Sequence, residues 1–206
     1  MGYKTIQAYA TDEFIEKKSR FIGYIMPVTT EKEATDFIAK ISKNHFDATH
    51  NVYAYILREG QIKRYSDNGE PQGTAGIPVL DVLQKEGLVD VCVVVTRYFG
   101  GTMLGAGGLV RAYSHGASIA VRAAKIMYMT ECNVITLECE YTLYGKINYI
   151  IPNYNIKVQR CDFTAAVQLE LLIEQEKTDA FLKEITDLSN GQVTPYITGQ
   201  VFADMA

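Results

Sequence analysis

The spacing of apolar residues over the first 130 positions predicts short strands that alternate with helices. Runs rich in β-branched and aromatic residues, bounded by turn-forming residues, predict strands at 19–28, 51–58, 62–66 and 90–99. The last of these, DVCVVVTRYF, is almost continuously apolar, which is typical of a strand buried on both faces. We therefore expect its side chains to pack on both sides of a sheet.

Three helices are predicted between and after these strands. Thr30 and Glu33 form a capping box at the start of the first helix. One face of this helix collects apolar residues at helical spacing, namely Ala34, Phe37, Ile38 and Ile41. The second helix is expected to begin near Pro78 and to end at Gly87. The third is expected over about 108–124.

The pattern restarts near residue 132. Strand, helix, strand, strand, helix and strand are predicted in turn at 132–141, 143–154, 156–163, 165–173, 176–191 and 192–202. This βαββαβ order is typical of a ferredoxin-like domain. We therefore expect an α+β protein with two domains, residues 1–132 and residues 133–206.

Charge is distributed unevenly between the two halves of the chain. The net charge is −4. Residues 1–130 contain 15 lysines and arginines against 13 aspartates and glutamates, whereas residues 131–206 contain 5 against 11. The acidic second half disfavours wrapping around nucleic acid. The first half is close enough to neutral to carry a local basic patch.

Composition sets limits on location and on metal chemistry. No apolar run approaches the ~20 residues that span a bilayer, so we expect a cytoplasmic protein without a membrane segment. The four cysteines form no C-x-x-C pair and are expected to be buried free thiols, at positions 92, 132, 139 and 161. The histidines lie far from them in sequence, and no metal or cofactor is expected.

The stretch VVVTRYFGGTMLGAGGLVRAY (93–113) is the most unusual in the chain. Five glycines fall within nine residues, at Gly100, Gly101, Gly105, Gly107 and Gly108. A glycine-rich turn between a strand and a helix directs free amide groups and the helix dipole to one place, which suits an anion. The stretch lacks the lysine of a phosphate-binding G-x-x-x-x-G-K-[ST] loop. Anion binding and tight packing of helix on sheet both stay open.

Two arginines flank these glycines. Arg97 ends the buried strand, Arg111 lies in the following helix, and Tyr98 is the most immediate aromatic neighbour. Arginine beside aromatic residues is typical of surfaces that hold phosphates and stack on bases. The alternative for Arg97 is a salt bridge to a loop carboxylate, because a charge at the end of a buried strand needs a partner or solvent.

The loop SDNGEPQGTAG (66–76) supplies a second group of polar residues. Asp67, Glu70 and Thr74, together with His50, could form a polar pocket in which carboxylates act as acid and base. The alternative is turn chemistry, because Asp-Asn-Gly is a strong turn former and Thr74 can bond to the backbone. His50 is by itself more typical of a structural hydrogen bond.

Four segments together resemble the IMPACT/YigZ family: KKSRFIGYI (17–25), DATHNVYAY (47–55), SDNGEPQGTAGIPVLDVL (66–83) and the glycine stretch. The resemblance implies a ribosomal-protein S5 domain-2-like domain, followed by a ferredoxin-like domain similar to domains III and V of elongation factor G. Asn68 stands where the family usually has an aspartate, which weakens a metal-site interpretation of that loop.

Three functions are compatible with these observations. Both folds recur in ribosome-associated proteins, so the resemblance favours a non-enzymatic, translation-linked protein that binds RNA or the ribosome. A regulatory module that binds a protein partner through other surfaces is the first alternative. An enzyme acting on a phosphorylated or nucleotide-like small molecule is the second.

Overall fold

The structure is a computed structural model that describes residues 2–205. Over that range it contains five α-helices and two β-sheets, which confirms the expected α+β class. The described chain forms two compact units: Tyr3–Met127, and a second that begins at Tyr128 and includes Gly2. The expected division at 132/133 stays a prediction.

The first unit is built on one sheet. Its strands are β2 (Ala10–Glu16), β3 (Ser19–Pro27), β4 (His50–Leu57), β5 (Ile62–Ser66) and β6 (Val91–Tyr98), preceded by β1 (Tyr3–Ile6). The sheet order is β2-β3-β6-β4-β5, and all neighbours are antiparallel. Its helices are α1 (Glu31–Asn44), α2 (Gly76–Glu86) and α3 (Ala106–Ala123), with a 3-10 turn at Glu59–Gln61.

Helices cover both faces of this sheet. Apolar residues of α2 and α3 pack against one face, and those of α1 pack against the other. Every residue from Val91 to Arg97 is buried, which confirms the expectation that this central strand is enclosed on both faces.

The local signals for the helix ends are confirmed. Thr30 and Glu33 form the predicted capping box, and Gly87 ends α2 in a left-handed conformation at φ 68°. Helix α2 begins at Gly76, two residues before Pro78, and α3 begins at Ala106 rather than near residue 108. Helix α2 begins earlier than predicted because the carboxylate of Asp67 accepts hydrogen bonds from the backbone N–H groups of Ala75 and Gly76.

Two strands at the amino end, β1 and β2, have no counterpart in the predictions. Most side chains of β2 are exposed, so the strand carries little apolar pattern. It pairs with β3 through a two-residue turn in which Lys17 and Lys18 adopt φ values of 45° and 67°. Such turns are usually signalled by Asn-Gly or Asp-Gly, and a lysine pair gives no such signal.

The second unit has ferredoxin-like topology, as predicted. Its elements are β7 (Ile126–Cys139), α4 (Tyr141–Ile150), a 3-10 turn (Ile151–Tyr154), β8 (Lys157–Phe163), β9 (Val167–Glu174), α5 (Gln175–Leu188) and β10 (Tyr196–Asp204). The antiparallel order is β10-β7-β9-β8. The apolar core of this unit includes residues of β7, β9, α4 and α5.

The cysteines are free thiols, as expected. Three of them are buried, and Cys161 is partly buried. Among residues 2–205, no helix has both the length and the apolar character that a membrane crossing requires.

Candidate functional site

The end of β6 places Arg97 inside the protein. Its side chain lies on the face of the sheet covered by α2 and α3, and the residue is 5% exposed. Nη1 donates a hydrogen bond to Oε1 of Glu70 over 2.6 Å. Nε is buried and finds no partner among the described residues. Of the two roles expected for Arg97, phosphate contact and a salt bridge, the structure shows the salt bridge, to a carboxylate of the loop at 66–76.

Glu70 is the centre of a small polar cluster. It is buried, and its Oε1 also accepts a hydrogen bond of 2.8 Å from the hydroxyl of Tyr113 on α3. Burial, and next the negative charge of Glu70, raise the pKa of Tyr113, so this hydroxyl remains a neutral donor. Nε2 of His50 lies 3.7 Å from the same oxygen. Two strands, a loop and a helix therefore place side chains around one carboxylate oxygen.

The rest of the loop is built by turn chemistry. The carboxylate of Asp67 accepts hydrogen bonds from the backbone N–H groups of Gly73, Ala75 and Gly76, at 2.9, 3.1 and 2.8 Å. It thereby satisfies free amides around the start of α2. The hydroxyl of Thr74 donates to the carbonyl of Pro71 over 2.6 Å. Asp67 and Thr74 hold the loop that presents Glu70.

His50 is held by the same loop. Its Nδ1 lies 2.7 Å from the carbonyl oxygen of Asn68, and because a carbonyl only accepts, Nδ1 carries the hydrogen. The side-chain oxygen of Asn68 in turn accepts from the backbone N–H of Asn51 over 2.6 Å. Asn68 adopts φ 45°, a conformation that asparagine tolerates better than most residues.

The five glycines differ in what a Cβ atom at each position would contact. A Cβ at Gly100 would lie 2.0 Å from the backbone C and O of Lys18, so this glycine allows two chain segments to touch. At Gly101, Gly105 and Gly107, by contrast, a Cβ would meet no atom of the described residues within 4 Å. Gly108 is intermediate, since its Cβ would lie 2.9 Å from Cβ of Leu104.

The amino terminus of α3 is open. Gly105 is its N-cap, with φ 72°, and no side chain of the described residues caps this end. The first helical hydrogen bond runs from the N–H of Leu109 to the carbonyl of Gly105 over 2.9 Å. The N–H groups of residues 106–108 therefore lack helical acceptors, which is the geometry that binds anions.

Arg97 and this helix terminus line one cavity of about 350 Å³, here named the Arg97 cavity. Its polar side includes His50, Glu70 and Arg97, and Gly105 and Ala106 border it at the start of α3. Its apolar side includes Phe99 and Met103, which are 47% and 85% exposed. His50 and Glu70 of the expected polar pocket therefore line the same cavity as Arg97 and Gly105 of the glycine stretch.

Arg111 lines a different depression. This Arg111 groove, of about 470 Å³, lies between the end of β2 and α3, and also includes Glu16, Lys17, Gly108 and His115. Arg111 and Lys17 are both exposed. Sequence reasoning missed Lys17 as a site residue, although it begins the segment KKSRFIGYI.

Tyr98 lies apart from both depressions. Its ring packs with residues of α1 on the opposite face of the sheet, because successive strand residues point to opposite faces. Its hydroxyl donates to Oδ1 of Asp47 over 3.1 Å and lies 2.9 Å from Nδ1 of His45. Phe99, the next aromatic residue, lies beside the guanidinium of Arg97 at 5.4 Å.

Comparisons with known proteins find matches in both units of the chain. Residues 17–121 match the model of the Impact N-terminal domain, and residues 137–192 match a domain of unknown function, DUF1949. A solved crystal structure described as that of a hypothetical protein is 31% identical, with a TM-score of 0.61, and the match covers 96% of this chain and 98% of that one.

Bacterial relatives are similar to this chain over most of their length, whereas a eukaryotic relative is similar over a smaller part. IMPACT family member YvyE of Bacillus subtilis is 40% identical over 192 residues, covering 93% of this chain and 88% of the relative. IMPACT family member YigZ of Escherichia coli is 34% identical over 180 residues, covering 86% and 87%. The IMPACT homolog of Dictyostelium discoideum is 36% identical over 102 residues, covering 47% and 29%. The chain belongs to the IMPACT family.

Proposed function

We propose that this protein is a non-enzymatic, translation-linked binding protein that contacts RNA, free or within the ribosome, through the Arg111 groove. The observation that carries the proposal is the convergence of Lys17, from the turn after β2, and Arg111, from α3, on one groove. Phosphate groups are bound by such cations. The S5-like and elongation-factor-like folds supply the link to translation.

The strained turn beside the groove supports this assignment. Lys17 and Lys18 are exposed, and both adopt positive φ, which costs a non-glycine residue free energy. The backbone of Gly100 packs against Lys18 and helps to hold the turn in place. The chain thus presents two lysines at the tip of a hairpin, at the edge of the groove.

The second unit is unsuited to the same task. The sheet face away from its helices carries Glu138, Glu170 and Asp162, and Arg160 on that face is paired with Asp162 at 2.5 Å. These carboxylates repel a phosphate backbone. We therefore assign RNA contact to the first unit alone, with Arg97 acting as a positioning residue behind the surface.

The test is RNA binding by a variant in which Lys17→Gln and Arg111→Gln are combined. Fluorescence anisotropy with a labelled single-stranded oligoribonucleotide, and sedimentation with purified ribosomes, measure binding across a salt series. We expect salt-dependent binding by the wild type, and a slope of log K against log salt that falls by about 0.7 for each lost phosphate contact.

Arg122→Gln is the matched control, because it removes one arginine from the last turn of the same helix, outside the groove. Its binding is expected to equal that of the wild type. Absence of wild-type binding at low salt would refute the proposal, as would an equal loss in the control.

A protein partner is the second candidate, favoured by the exposed side chains of β10. Tyr196, Ile197 and Val201 are 64%, 50% and 42% exposed beside the carboxylates of the same unit. Such a mixed surface suits a partner with a basic, partly apolar segment. Retention of ribosomes by the protein after the groove variant has lost RNA binding would favour this candidate.

A further inference from the structure

The function proposed above does not involve the Arg97 cavity. One end of this cavity suits a phosphate group, and the other end suits an aromatic base. We infer that it binds a single nucleotide unit, with the phosphate at the start of α3 and the base against Phe99. This inference does not rest on Lys17 or Arg111, neither of which lines the Arg97 cavity, although Leu104 lines both depressions.

The phosphate end is defined by donors that the protein leaves unused. The N–H groups of residues 106–108 have no helical acceptor, and Gly105 and Ala106 are exposed where they border the cavity. Arg97, on the wall of the same cavity, is buried and has an Nε without a partner among the described residues. A phosphate at the helix terminus would meet the free amides and the positive end of the helix dipole.

The charged side chains at the phosphate end neutralise each other in the absence of a ligand. Arg97 and Glu70 form a neutral pair at 2.6 Å, and the hydroxyl of Tyr113 donates to the same carboxylate oxygen. The carboxylate therefore does not stand as an uncompensated negative charge in the cavity. What remains for an incoming anion is the helix terminus, with its free N–H groups and its dipole, and the unpartnered Nε of Arg97 in the cavity wall.

The base end is defined by apolar surface. Phe99 and Met103 line the cavity while about half and most of their surfaces, respectively, remain exposed. An aromatic ring accepts a stacked base of any sequence, and each such stack contributes about 1–3 kcal/mol. Of the two residues, only the ring of Phe99 offers a flat face, so we place the base there.

Both features are needed to define the ligand class. A simple inorganic anion would leave Phe99 and Met103 uncovered, and a simple aromatic compound would leave the helix amides without an acceptor. The volume of about 350 Å³ lies at the lower end of the range for small-ligand sites, which suits one nucleotide and not a longer chain. A free mononucleotide and the phosphorylated end of an RNA have this chemistry in common.

Thermal-shift and calorimetric titrations with adenosine monophosphate (AMP) test the inference. We expect AMP to raise the melting temperature, and adenosine or inorganic phosphate at the same concentration to raise it much less. Phe99→Leu keeps the apolar volume but removes the ring, and is expected to weaken AMP binding by roughly 5- to 150-fold, the loss of one stack.

Ala106→Asp tests the phosphate end without endangering the fold. A carboxylate in the first helical turn is favourable to the helix, but it would repel a phosphate at that place. We expect this variant to melt at or above the wild-type temperature and to lose the AMP shift. Gln84→Glu adds the same charge to an exposed position of α2, outside the cavity, and is expected to keep the shift.

Two competitors identify the source of the ligand. Displacement of AMP by a 5′-phosphorylated oligoribonucleotide, but not by its 5′-hydroxyl form, would assign the cavity to an RNA end. Lack of displacement by either would assign it to a free nucleotide.

The inference is wrong if neither AMP nor the phosphorylated oligonucleotide shifts the wild type, or if Ala106→Asp responds to AMP as Gln84→Glu does. The groove variant with Lys17→Gln and Arg111→Gln is expected to keep the AMP shift, so the two proposals can fail separately.

Discussion

Arg97 and Glu70 form a buried ion pair in the first unit. The two residues lie 27 positions apart in sequence, and each is almost removed from water. A buried ion pair offsets the cost of desolvation only when its hydrogen bonds are well formed. The bond from Tyr113 to Glu70 strengthens the pair on one side, whereas the free Nε of Arg97 weakens it on the other.

Removal of one member of this pair should destabilise the protein strongly. Arg97→Met leaves Glu70 buried without its partner, and we expect a loss of about 3–5 kcal/mol in the free energy of unfolding. The double variant Arg97→Met with Glu70→Gln removes both charges and is expected to recover part of that loss. Urea denaturation of the two single variants, the double variant and the wild type measures the coupling. Strictly additive losses would contradict the pairing.

Two glycines of the stretch at 93–113 should respond differently to alanine, although they lie only seven positions apart. Gly100→Ala drives a Cβ into the backbone of Lys18, and we expect a loss of about 1–3 kcal/mol or more. Gly107→Ala places its Cβ in open space in the first turn of α3 and is expected to be neutral or to stabilise by up to about 1 kcal/mol. Denaturation midpoints distinguish the two, and equal effects would show that Gly100 does not mediate a close approach.

At the scale of the element, α1 is the helix whose start is most fully specified. The hydroxyl of Thr30 accepts from the N–H of Glu33 at 3.2 Å, and the carboxylate of Glu33 reaches back to the N–H groups of Thr29 and Thr30 at 2.6 and 3.3 Å. These bonds satisfy amides that the helix itself cannot satisfy. The first turn therefore depends on two side chains.

Thr30→Ala should reduce stability by about 0.5–2 kcal/mol, because it removes the N-cap acceptor. The matched control is Thr35→Ala, an exposed position within the same helix where alanine is the better helix former. Thermal melts of both variants provide the measurement. A control that loses as much as Thr30→Ala would point to a general effect on the helix rather than to the cap.

The cap should also be sensitive to pH. The hydrogen bond from the backbone N–H of Thr29, followed by that from its hydroxyl, holds the pKa of Glu33 below its ordinary value of 4.5. A carboxylate with a lowered pKa in the folded state contributes stability that is fully present above the unfolded pKa and is lost as pH falls through the folded pKa. The melting-temperature difference between the wild type and Glu33→Gln should therefore be constant near neutral pH and shrink below about pH 4.5. A difference that does not change down to pH 3 would contradict this assignment.

At the scale of the whole molecule, β7 determines where the chain can be divided. The strand runs unbroken from Ile126 to Cys139, through the division expected at 132/133. Its residues 129–132 pair with residues 201–204 of β10. Cys132 is buried with Leu172 and Met205. A division at 132/133 would remove the partners of half of the last strand.

A fragment of residues 126–206 should therefore be more stable than a fragment of residues 133–206. The shorter fragment loses the ladder between β10 and the first half of β7, and leaves an unpaired strand edge. Circular dichroism and amide hydrogen exchange of the two fragments test this expectation, with protection of residues 201–204 as the specific readout. Equal protection in both fragments would favour the division at 132/133.

The chain's local patterns were sufficient for features that depend on neighbours in sequence. The capping box at Thr30 and Glu33, the left-handed stop at Gly87 and the enclosed strand at 91–97 follow from backbone sterics and from the period of apolar residues. The ferredoxin-like order follows in the same way. Strand β2 was not predicted because an exposed edge strand carries no apolar period and its lysine turn carries no turn signature.

The sequence by itself determined which residues are candidates for chemistry, and the tertiary structure decided how they are grouped. Arg97, Tyr98 and Arg111 are close in sequence, yet they point to the interior, to the α1 face and to a surface groove, because strand alternation and helix rotation send neighbours in different directions. Arg97 contacts Glu70, and Arg111 lines one groove with Lys17, only because the sheet brings distant segments together. Such contacts depend on the register of the whole sheet, which no local pattern encodes.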